Sequence, residues 1–307
     1  MLKRKLFSMN EKKLDLKLGY TCNNNCMHCI VGDKRTLGDK TTQQVFIDLE
    51  NGIRDGCNLL VITGGEPTIR KDFFQIVSYA KQLNYKMIQL QTNGRMFFSK
   101  QFTKRTMDAG LDQVVPAIHA HKPKIHDRIT RADNSWKQTV EGIKNLREYD
   151  IHIYANTVVS KMNYKILPEL ARFLAKLKVD QMQFAFLHPA GNVAEYFKIM
   201  VPNVSVVAPY IHKSIAIAQS ADVWSTVEGI PFCLMKGLEK HVSEQYIPTK
   251  SEVIDIDRTI TDYYKLLKNK SRVKGPKCVI CKFFDCCIGP WREYTNIKGF
   301  KEFKPVK

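Results

Sequence analysis

The sequence predicts an α/β protein: a partial (β/α)6 barrel of the TIM type, followed by a small cysteine-rich appendage that binds a cluster. Two observations lead to this prediction. Short β-rich apolar runs alternate six times with longer segments of helical periodicity, which is typical of a parallel sheet covered by helices. After about residue 220 the alternation fades, and the remaining chain carries five cysteines and five prolines.

The periodicity of the apolar residues predicts each element. Leu14, Leu16 and Leu18 alternate with polar residues, as in a half-buried strand, whereas Val45 and Leu49 are spaced to lie on one face of a helix. The predicted strands cover residues 14–18, 59–62, 87–91, 113–118, 151–159 and 181–187. The predicted helices cover residues 41–55, 72–83, 99–109, 135–149, 164–177 and 206–219.

Right-handed crossovers would curl six parallel strands into a full or partial barrel, whose chemistry collects in the loops after the strands. The unusual segments of this sequence follow the predicted strands and therefore belong to one rim. In chain order they are Cys22–Cys29, Gly64–Pro67, Thr92–Gly94, His119–His121 and Pro189–Gly191.

Three regions follow from this pattern. Residues 1–13 form an N-terminal extension, residues 14–220 the barrel, and residues 221–307 the cysteine-rich appendage with a basic tail. Residues 261–307 hold twelve Lys and Arg against four Asp and Glu. The formal net charge of +18 suits nucleic acid, acidic peptides or phosphates, and it equally suits a lysine-rich surface adapted to heat or salt.

The composition also indicates the compartment. No stretch approaches the roughly 20 apolar residues that a membrane helix needs, and basic residues 1–13 are not followed by the apolar run of a secretory signal. We therefore expect a cytoplasmic protein with no membrane association. In the reducing cytosol, nine cysteines in clusters indicate metal sites rather than disulfides.

The first cysteine group is Cys22-x3-Cys26-x2-Cys29. Zinc usually takes four ligands, often in paired Cys-x2-Cys motifs, so this spacing is a weak zinc pattern. Three close thiolates on one loop suit an iron–sulfur cluster. They can hold three irons of a four-iron cluster and leave the fourth iron open as a substrate site.

This cysteine spacing after strand one, with His28 before the last cysteine and Gly64-Gly65-Glu66-Pro67 after strand two, resembles the radical S-adenosylmethionine (SAM) superfamily. The resemblance implies that Cys22, Cys26 and Cys29 hold a 4Fe–4S cluster whose open iron chelates SAM. It further implies reductive cleavage of SAM to a 5′-deoxyadenosyl radical, which abstracts a hydrogen atom from the substrate. A reducing partner such as flavodoxin or ferredoxin would supply the electron.

The same resemblance assigns further cofactor contacts. Gly64 and Gly65 would let the backbone approach the methionine part of SAM, Glu66 would accept hydrogen bonds from its ammonium group, and Pro67 would fix the turn. The remaining expected contacts are His28 near the adenine, Thr92 and Asn93 on the rim, Asn156 near the ribose or methionine, and Leu187 at the strand-six backbone that meets adenine.

The second cysteine group, Cys233 with Cys278-x2-Cys281-x5-Cys287, resembles the SPASM or twitch appendages of radical SAM enzymes. Four cysteines match one auxiliary 4Fe–4S cluster with every iron ligated, which fits the shorter twitch type. Two alternatives remain open: Cys286 could replace its neighbour Cys287, and a structural zinc could use the same four thiolates.

The segment after strand four provides candidate substrate residues: His119, His121, His126, Asp127 and Arg128. The alternative is a capped helix start with packed histidines. We expect a peptide or protein substrate, with leader recognition left to a separate partner because only about 13 residues precede strand one. The alternatives are tRNA or a nucleotide-derived small molecule and, in another class, a non-catalytic zinc or cluster protein that binds nucleic acid.

Overall fold

A computed structural model describes residues 11–307, so residues 1–10 of the predicted N-terminal extension lie outside the described residues. Within this range, nine strands form one sheet in the order β7-β6-β5-β4-β3-β2-β1-β8-β9, and all neighbours except the β8–β9 pair are parallel. The strands are β1 Lys12–Lys17, β2 Cys57–Thr63, β3 Met87–Thr92, β4 Gln113–Pro116, β5 His152–Val159, β6 Gln181–Phe186, β7 Trp224–Glu228, β8 Ser251–Ile254 and β9 Thr259–Ile260.

Helices connect these strands and cover the outer face of the sheet. The six predicted helices are present with small shifts at their ends, and the predicted partial barrel is confirmed. The helices are α1 Thr42–Arg54, α2 Phe73–Gln82, α3 Lys100–Asp108, α4 Pro123–Thr130, α5 Ser135–Leu146, α6 Leu167–Lys176, α7 Asn192–Glu195, α8 Phe197–Met200, α9 Val204–Ser220, α10 Tyr263–Leu266 and α11 Arg292–Lys298. No helix within residues 11–307 is long and apolar enough to cross a membrane.

The alternation in β1 shows how the sequence builds the barrel wall. Leu14 and Leu16 are completely buried in the core beneath the helices, while Asp15 and Lys17 alternate with them and point to the barrel interior. Burial of the apolar row fixes the register, because a shift by one residue would turn the charged side chains into the core.

The structure contains elements that the sequence analysis did not predict. Strand β7 pairs with β6 in register, so the parallel sheet continues beyond residue 220. Helix α4 was not predicted. Cys57 is the buried first residue of β2, because Gly56 adopts a positive φ of 82° after α1 has ended.

The C-terminal region completes the edge of the barrel. Strand β8 pairs in parallel with β1, placing Glu252 opposite Leu14 and Ile254 opposite Leu16. All four residues of β8 are buried. The C-terminal region is therefore part of the same sheet, through a strand too short to stand out in the sequence.

A buried ion pair attaches this region to the end of β7. The guanidinium of Arg272 donates to Oε1 of Glu244 at 2.9 Å, and both side chains are almost completely buried. The backbone N–H of Gly229 donates to the same oxygen at 2.8 Å, and the ring of Trp291 lies 3.5 Å from the guanidinium carbon. Loss of the cation would leave a buried carboxylate without a counter-charge.

We predict that Arg272→Met lowers the free energy of unfolding by about 3 to 5 kcal/mol, because the Glu244 carboxylate loses its buried partner. Denaturant unfolding under anaerobic conditions measures this loss. Adding Glu244→Gln should recover part of it, and the control Arg172→Met, on the exposed face of α6, should stay within about 0.5 kcal/mol of the parent. Equal effects of Arg272→Met and Arg172→Met would contradict the prediction.

Candidate active site

The loop that carries the first cysteine group is anchored from two neighbouring segments. Asn25 and Met27 donate their backbone N–H groups to carbonyls at the end of α4, at 3.0 and 2.9 Å. On the other side, the side-chain amide of Asn192 donates to the carbonyl of Cys26 at 2.9 Å, and its backbone N–H donates to that of Cys29 at 3.0 Å. The three cysteines therefore lie on a loop whose backbone is hydrogen-bonded on both sides.

Two arginines give this loop further support. Arg35 donates to the carbonyl of Asn24 at 2.6 Å. Arg95, just beyond β3, donates to the carbonyl of Asn23 at 2.5 Å and to the side-chain oxygen of Asn24 at 2.7 Å. The sequence prediction missed Arg35, Arg95 and Asn192. Their only sequence signal is a position on the rim.

Two thiols of this loop, those of Cys22 and Cys26, lie in an environment that favours their protonated form. Burial raises the pKa of Cys22 to about 11. Burial, together with the nearby thiols of Cys22 and Cys29, raises the pKa of Cys26 to about 12. Binding of a metal cluster would have to displace these protons, as thiolate ligation generally does.

Two glycines allow the loop after β2 to lie against the cysteine loop. Gly64 has a φ of 134°, and a Cβ atom there would stand 2.4 Å from the carbonyl oxygen of Gly19. A Cβ atom on Gly65 would stand 2.2 Å from the carbonyl oxygen of Thr21. Hydrogen bonds of 2.8 Å join the two backbones, from Gly65 N–H to Gly19 and from Glu66 N–H to Thr21. Only glycine fits at these two positions.

The Glu66 carboxylate is already engaged by the protein. It accepts hydrogen bonds from the hydroxyl of Thr92 and the backbone N–H of Asn93, each at 2.6 Å, and from both donors of Thr68. Burial raises the pKa of Glu66, and these donors counteract that effect. Thr92 and Asn93 therefore lie beside Glu66 and donate to its carboxylate, so that Glu66 connects the ends of β2 and β3. Pro67 is buried and begins the next short turn.

Asn156 leaves a hydrogen-bonding atom unused. Its side-chain oxygen Oδ1 is buried and finds no hydrogen-bond partner among residues 11–307. It lies on β5 opposite Gln183 of β6 and forms a backbone bridge to Ala117. A buried acceptor without a donor is costly unless a ligand supplies one. Leu187, which follows β6, is buried and is anchored by a hydrogen bond from its N–H to Val159.

The histidines of this rim pack on one another. The rings of His28 and His119 meet edge to face with centroids 4.5 Å apart, and His126 stacks on His119 at 5.4 Å. Burial lowers the pKa of all three, to about 4 for His28 and His126, so they are neutral near pH 7. His121 is partly exposed, and its Nδ1 finds no hydrogen-bond partner within the described range.

The rest of the predicted substrate segment has local structural roles. Asp127 accepts from the hydroxyl of Ser135 and the N–H of Trp136, each at 2.7 Å, and so caps the start of α5. Arg128 is exposed on α4. The structure thus brings His119 to the cysteine loop through His28. His126 and Asp127 match the alternative interpretation of packed histidines and a capped helix.

The barrel interior is polar and carries both charges. Lys17 lies 3.8 Å from Asp15 on β1, and one buried oxygen of Asp15 accepts no hydrogen bond from residues 11–307. On the far side, Gln183 donates to Glu228 at 2.8 Å. Burial, and secondarily the nearby Glu244, raises the pKa of Glu228. A ligand in this space would meet a cation and carboxylates.

The second cysteine group lines a small cavity that opens to solvent. Cys233, Cys278, Cys281 and Cys287 all line it, together with the rings of Phe283 and Phe303. Burial, followed by the charges of the other three cysteines, raises the pKa of Cys233 to about 12.

Cys286 differs from these four residues. It does not line the cavity, it is exposed, and its thiol donates to the carbonyl of Phe283 at 3.6 Å. The lining of the cavity therefore distinguishes Cys287 from Cys286.

In both cysteine groups the thiols are too far apart to bind one metal ion together. Among the described residues, no group of three or more His, Cys, Asp or Glu side chains is close enough together to surround a single metal ion. Ligands of a four-iron cluster bind separate irons, and therefore stand further apart than the ligands of one ion.

The protein family follows from a direct comparison. The Radical SAM superfamily profile matches residues 16–184, more than half of the chain. The chain therefore belongs to the radical SAM superfamily and is a radical SAM enzyme, as predicted. Membership implies a 4Fe–4S cluster, SAM and a source of reducing electrons.

Individual relatives differ in the names that they carry. A probable GTP 3′,8-cyclase of Sulfolobus acidocaldarius is 31% identical over 190 residues, covering 60% of this chain and 58% of that protein. The chain thus matches less than two thirds of that relative's length. An AdoMet-dependent heme synthase of Methanosarcina barkeri is 24% identical over 327 residues, and the match covers 92% of this chain and 92% of that protein.

Solved structures show that the fold extends into the cysteine-rich region. SuiB of Streptococcus suis with bound S-adenosylmethionine superposes with a TM-score of 0.67 and 18% identity, covering 97% of this chain and 76% of its own. The anSMEcpe structure with bound AdoMet gives a TM-score of 0.67 and 15% identity, covering 95% of this chain and 92% of its own. At these identities the likeness concerns the fold alone.

Proposed function

We propose that Cys22, Cys26 and Cys29 bind the SAM-cleaving cluster, and that the enzyme abstracts a hydrogen atom from a substrate in the barrel interior. The observation that carries the proposal is the anchored three-cysteine loop beside a glycine pair that leaves no room for a side chain. The chemistry that the bound cluster and SAM supply is reductive cleavage to a 5′-deoxyadenosyl radical, which removes the hydrogen atom.

The residues around the loop would bind and orient SAM. Asn156 supports this assignment because its unused, buried oxygen can accept a hydrogen bond from a ribose hydroxyl or an ammonium group. The packed ring of His28 and the backbone after Leu187 would border the adenine. Glu66 would act mainly as a positioning residue, since four protein donors already contact its carboxylate.

The second group would hold an auxiliary 4Fe–4S cluster through Cys233, Cys278, Cys281 and Cys287. Support comes from the cavity that these four cysteines line. The other three cysteines are also near enough to Cys233 to raise its pKa electrostatically, in addition to the effect of burial. A zinc ion is the alternative, since zinc and iron–sulfur clusters share thiolate ligands. Metal content distinguishes the two.

For the substrate, we propose a peptide or protein side chain. The support is the fold shared with SuiB, solved in complex with its precursor peptide SuiA: the match covers 97% of this chain and so includes its cysteine-rich region. The mixed charges of Lys17, Asp15 and Glu228 suit a polar side chain or a peptide backbone. A nucleotide substrate is the second candidate, favoured by the 31% identity to the probable GTP 3′,8-cyclase.

We expect the Cys26→Ala variant to form no 5′-deoxyadenosine from SAM with dithionite, because one iron loses its thiolate. Anaerobic incubation followed by liquid chromatography measures the product. Cys57→Ala is the matched control: this thiol is buried on β2 outside both groups, so the variant should retain cluster and product. Product formation by Cys26→Ala at the parent rate would overturn the proposed function.

The neighbouring cysteines give a second prediction. Cys287→Ser should lower the iron content of the anaerobically reconstituted protein by up to about four irons per chain, because the auxiliary cluster loses a ligand. Cys286→Ser should leave the iron content unchanged, since Cys286 points away from the cavity. The reverse result would show that Cys286 is the ligand. One equivalent of bound zinc, found by metal analysis in place of this iron, would show that the second group is a zinc site.

The substrate class can be tested on fractions of a cell extract. We expect a peptide fraction to increase 5′-deoxyadenosine formation by the reconstituted enzyme, and we expect protease treatment, but not ribonuclease treatment, of that fraction to remove the effect. Stimulation by GTP alone, or stimulation lost only after ribonuclease, would contradict a peptide substrate and favour the nucleotide alternatives.

A further inference from the structure

Three apolar side chains are exposed on the loop that carries the second cysteine group. Val279 is 68% exposed, Ile280 64% and Phe284 37%. The cysteines on either side of the first two, Cys278 and Cys281, face the cavity. The loop therefore directs these thiols to the cavity and exposes Val279 and Ile280 to solvent, while the half-exposed ring of Phe284 also lines the cavity.

Lysines surround these apolar side chains. Lys274 lies 3.9 Å from the ring of Phe284, and Lys282 lies 4.9 Å from the ring of Phe283. The C-terminal residues add a further lysine, because the N–H of Lys282 donates to the carbonyl of Val306 at 2.9 Å and so places the terminal segment alongside. We define the auxiliary face as Val279, Ile280, Phe284, Lys274, Lys277, Lys282 and Lys304.

The lysines of the auxiliary face are outside ion pairs. Within residues 11–307, none of the four lies within ion-pair distance of a carboxylate. Lys274 donates to the backbone carbonyl of Phe284, and Lys277 and Lys282 are exposed. An exposed apolar centre with an uncompensated cationic rim is typical of a docking site rather than of a plain solvated surface.

The first cysteine loop offers a contrast. It also exposes two apolar side chains, Ile30 at 52% and Leu37 at 47%. Its cations, however, are engaged: Lys34 pairs with Asp255 and Asp257, and Arg35 binds the carbonyl of Asn24. An acidic partner would therefore find lysines outside ion pairs at the second group, whereas Lys34 of the first group already pairs with two carboxylates.

We propose that the auxiliary face is the docking site of a small acidic electron-carrier protein, an inference that rests on the proposed function because radical SAM chemistry needs a reductant. Such encounters use small, transient interfaces, and complementary charge raises their association rate. The net charge of +18 gives the long-range attraction, and the exposed aliphatic side chains give the short-range contact.

A nucleic acid is the competing occupant of a cationic surface. RNA would gain from phosphate contacts and from stacking on flat rings. Two of the three apolar side chains, Val279 and Ile280, are aliphatic and offer no stacking surface. The composition of the auxiliary face therefore favours a protein partner.

The test measures binding of an acidic flavodoxin to the anaerobic, cluster-loaded enzyme by titration calorimetry. Lys277→Glu/Lys282→Glu should raise the Kd roughly tenfold or more at low salt, and high salt should weaken the parent complex. The matched control, Lys86→Glu/Lys176→Glu, reverses two exposed lysines outside the auxiliary face, one just before β3 and one at the end of α6, and should change the Kd by less than about twofold. Ile280→Ala, which leaves every charge in place, should weaken binding without changing its salt dependence.

Hydrogen exchange gives an independent readout. Flavodoxin should protect residues 276–284, and protection of residues 30–37 instead would overturn the proposal. So would equal Kd values for the two double variants, or binding of a tRNA in place of flavodoxin at the auxiliary face.

Failure of docking can be separated from failure of the enzyme itself. Dithionite needs no docking site, so both double variants should form 5′-deoxyadenosine at the parent rate with this reductant. Absence of the product in the parent protein with dithionite would overturn the proposed function, whereas an unchanged Kd in the auxiliary-face variants would overturn the docking site alone.

Discussion

The close approach of two backbones, after β1 and after β2, is the constraint on which the site depends. Hydrogen bonds from Gly65 and Glu66 to the residues just before Cys22 set the distance between the two backbones. Neither Gly64 nor Gly65 has space for a side chain. The cysteine loop is anchored at its start by this backbone contact and on the opposite side by the hydrogen bond from the Asn192 side chain to the carbonyl of Cys26.

Glu66 shows how the same region is reinforced from within. A buried carboxylate is unfavourable unless hydrogen bonds compensate, and here donors from Thr68, Thr92 and Asn93 do so. These bonds connect the ends of β2 and β3 beneath the position proposed for SAM. Glu66, which the sequence analysis expected to contact SAM, thus holds the ends of β2 and β3 together.

The sequence predicted the elements whose signal is local. The alternation around Leu14 and Leu16, the spacing of Cys22, Cys26 and Cys29, and the Gly64–Pro67 turn each depend on neighbouring residues. Strand β8 could not be predicted, because Ser251–Ile254 is short and its partner lies more than 200 residues away. The sequence likewise identified Glu66 and Asp127 as polar rim residues, but their hydrogen-bond donors come from segments that only folding brings together.

The pairing of β8 with β1 has a consequence for synthesis. The outer edge of β1 keeps its backbone groups unpaired until residues 251–254 have emerged from the ribosome, although β2 can pair with the other edge far earlier. An open strand edge is a template for pairing with another chain. Nascent barrels of this enzyme are therefore most prone to aggregate through β1, and the arrival of the C-terminal region ends that vulnerable period.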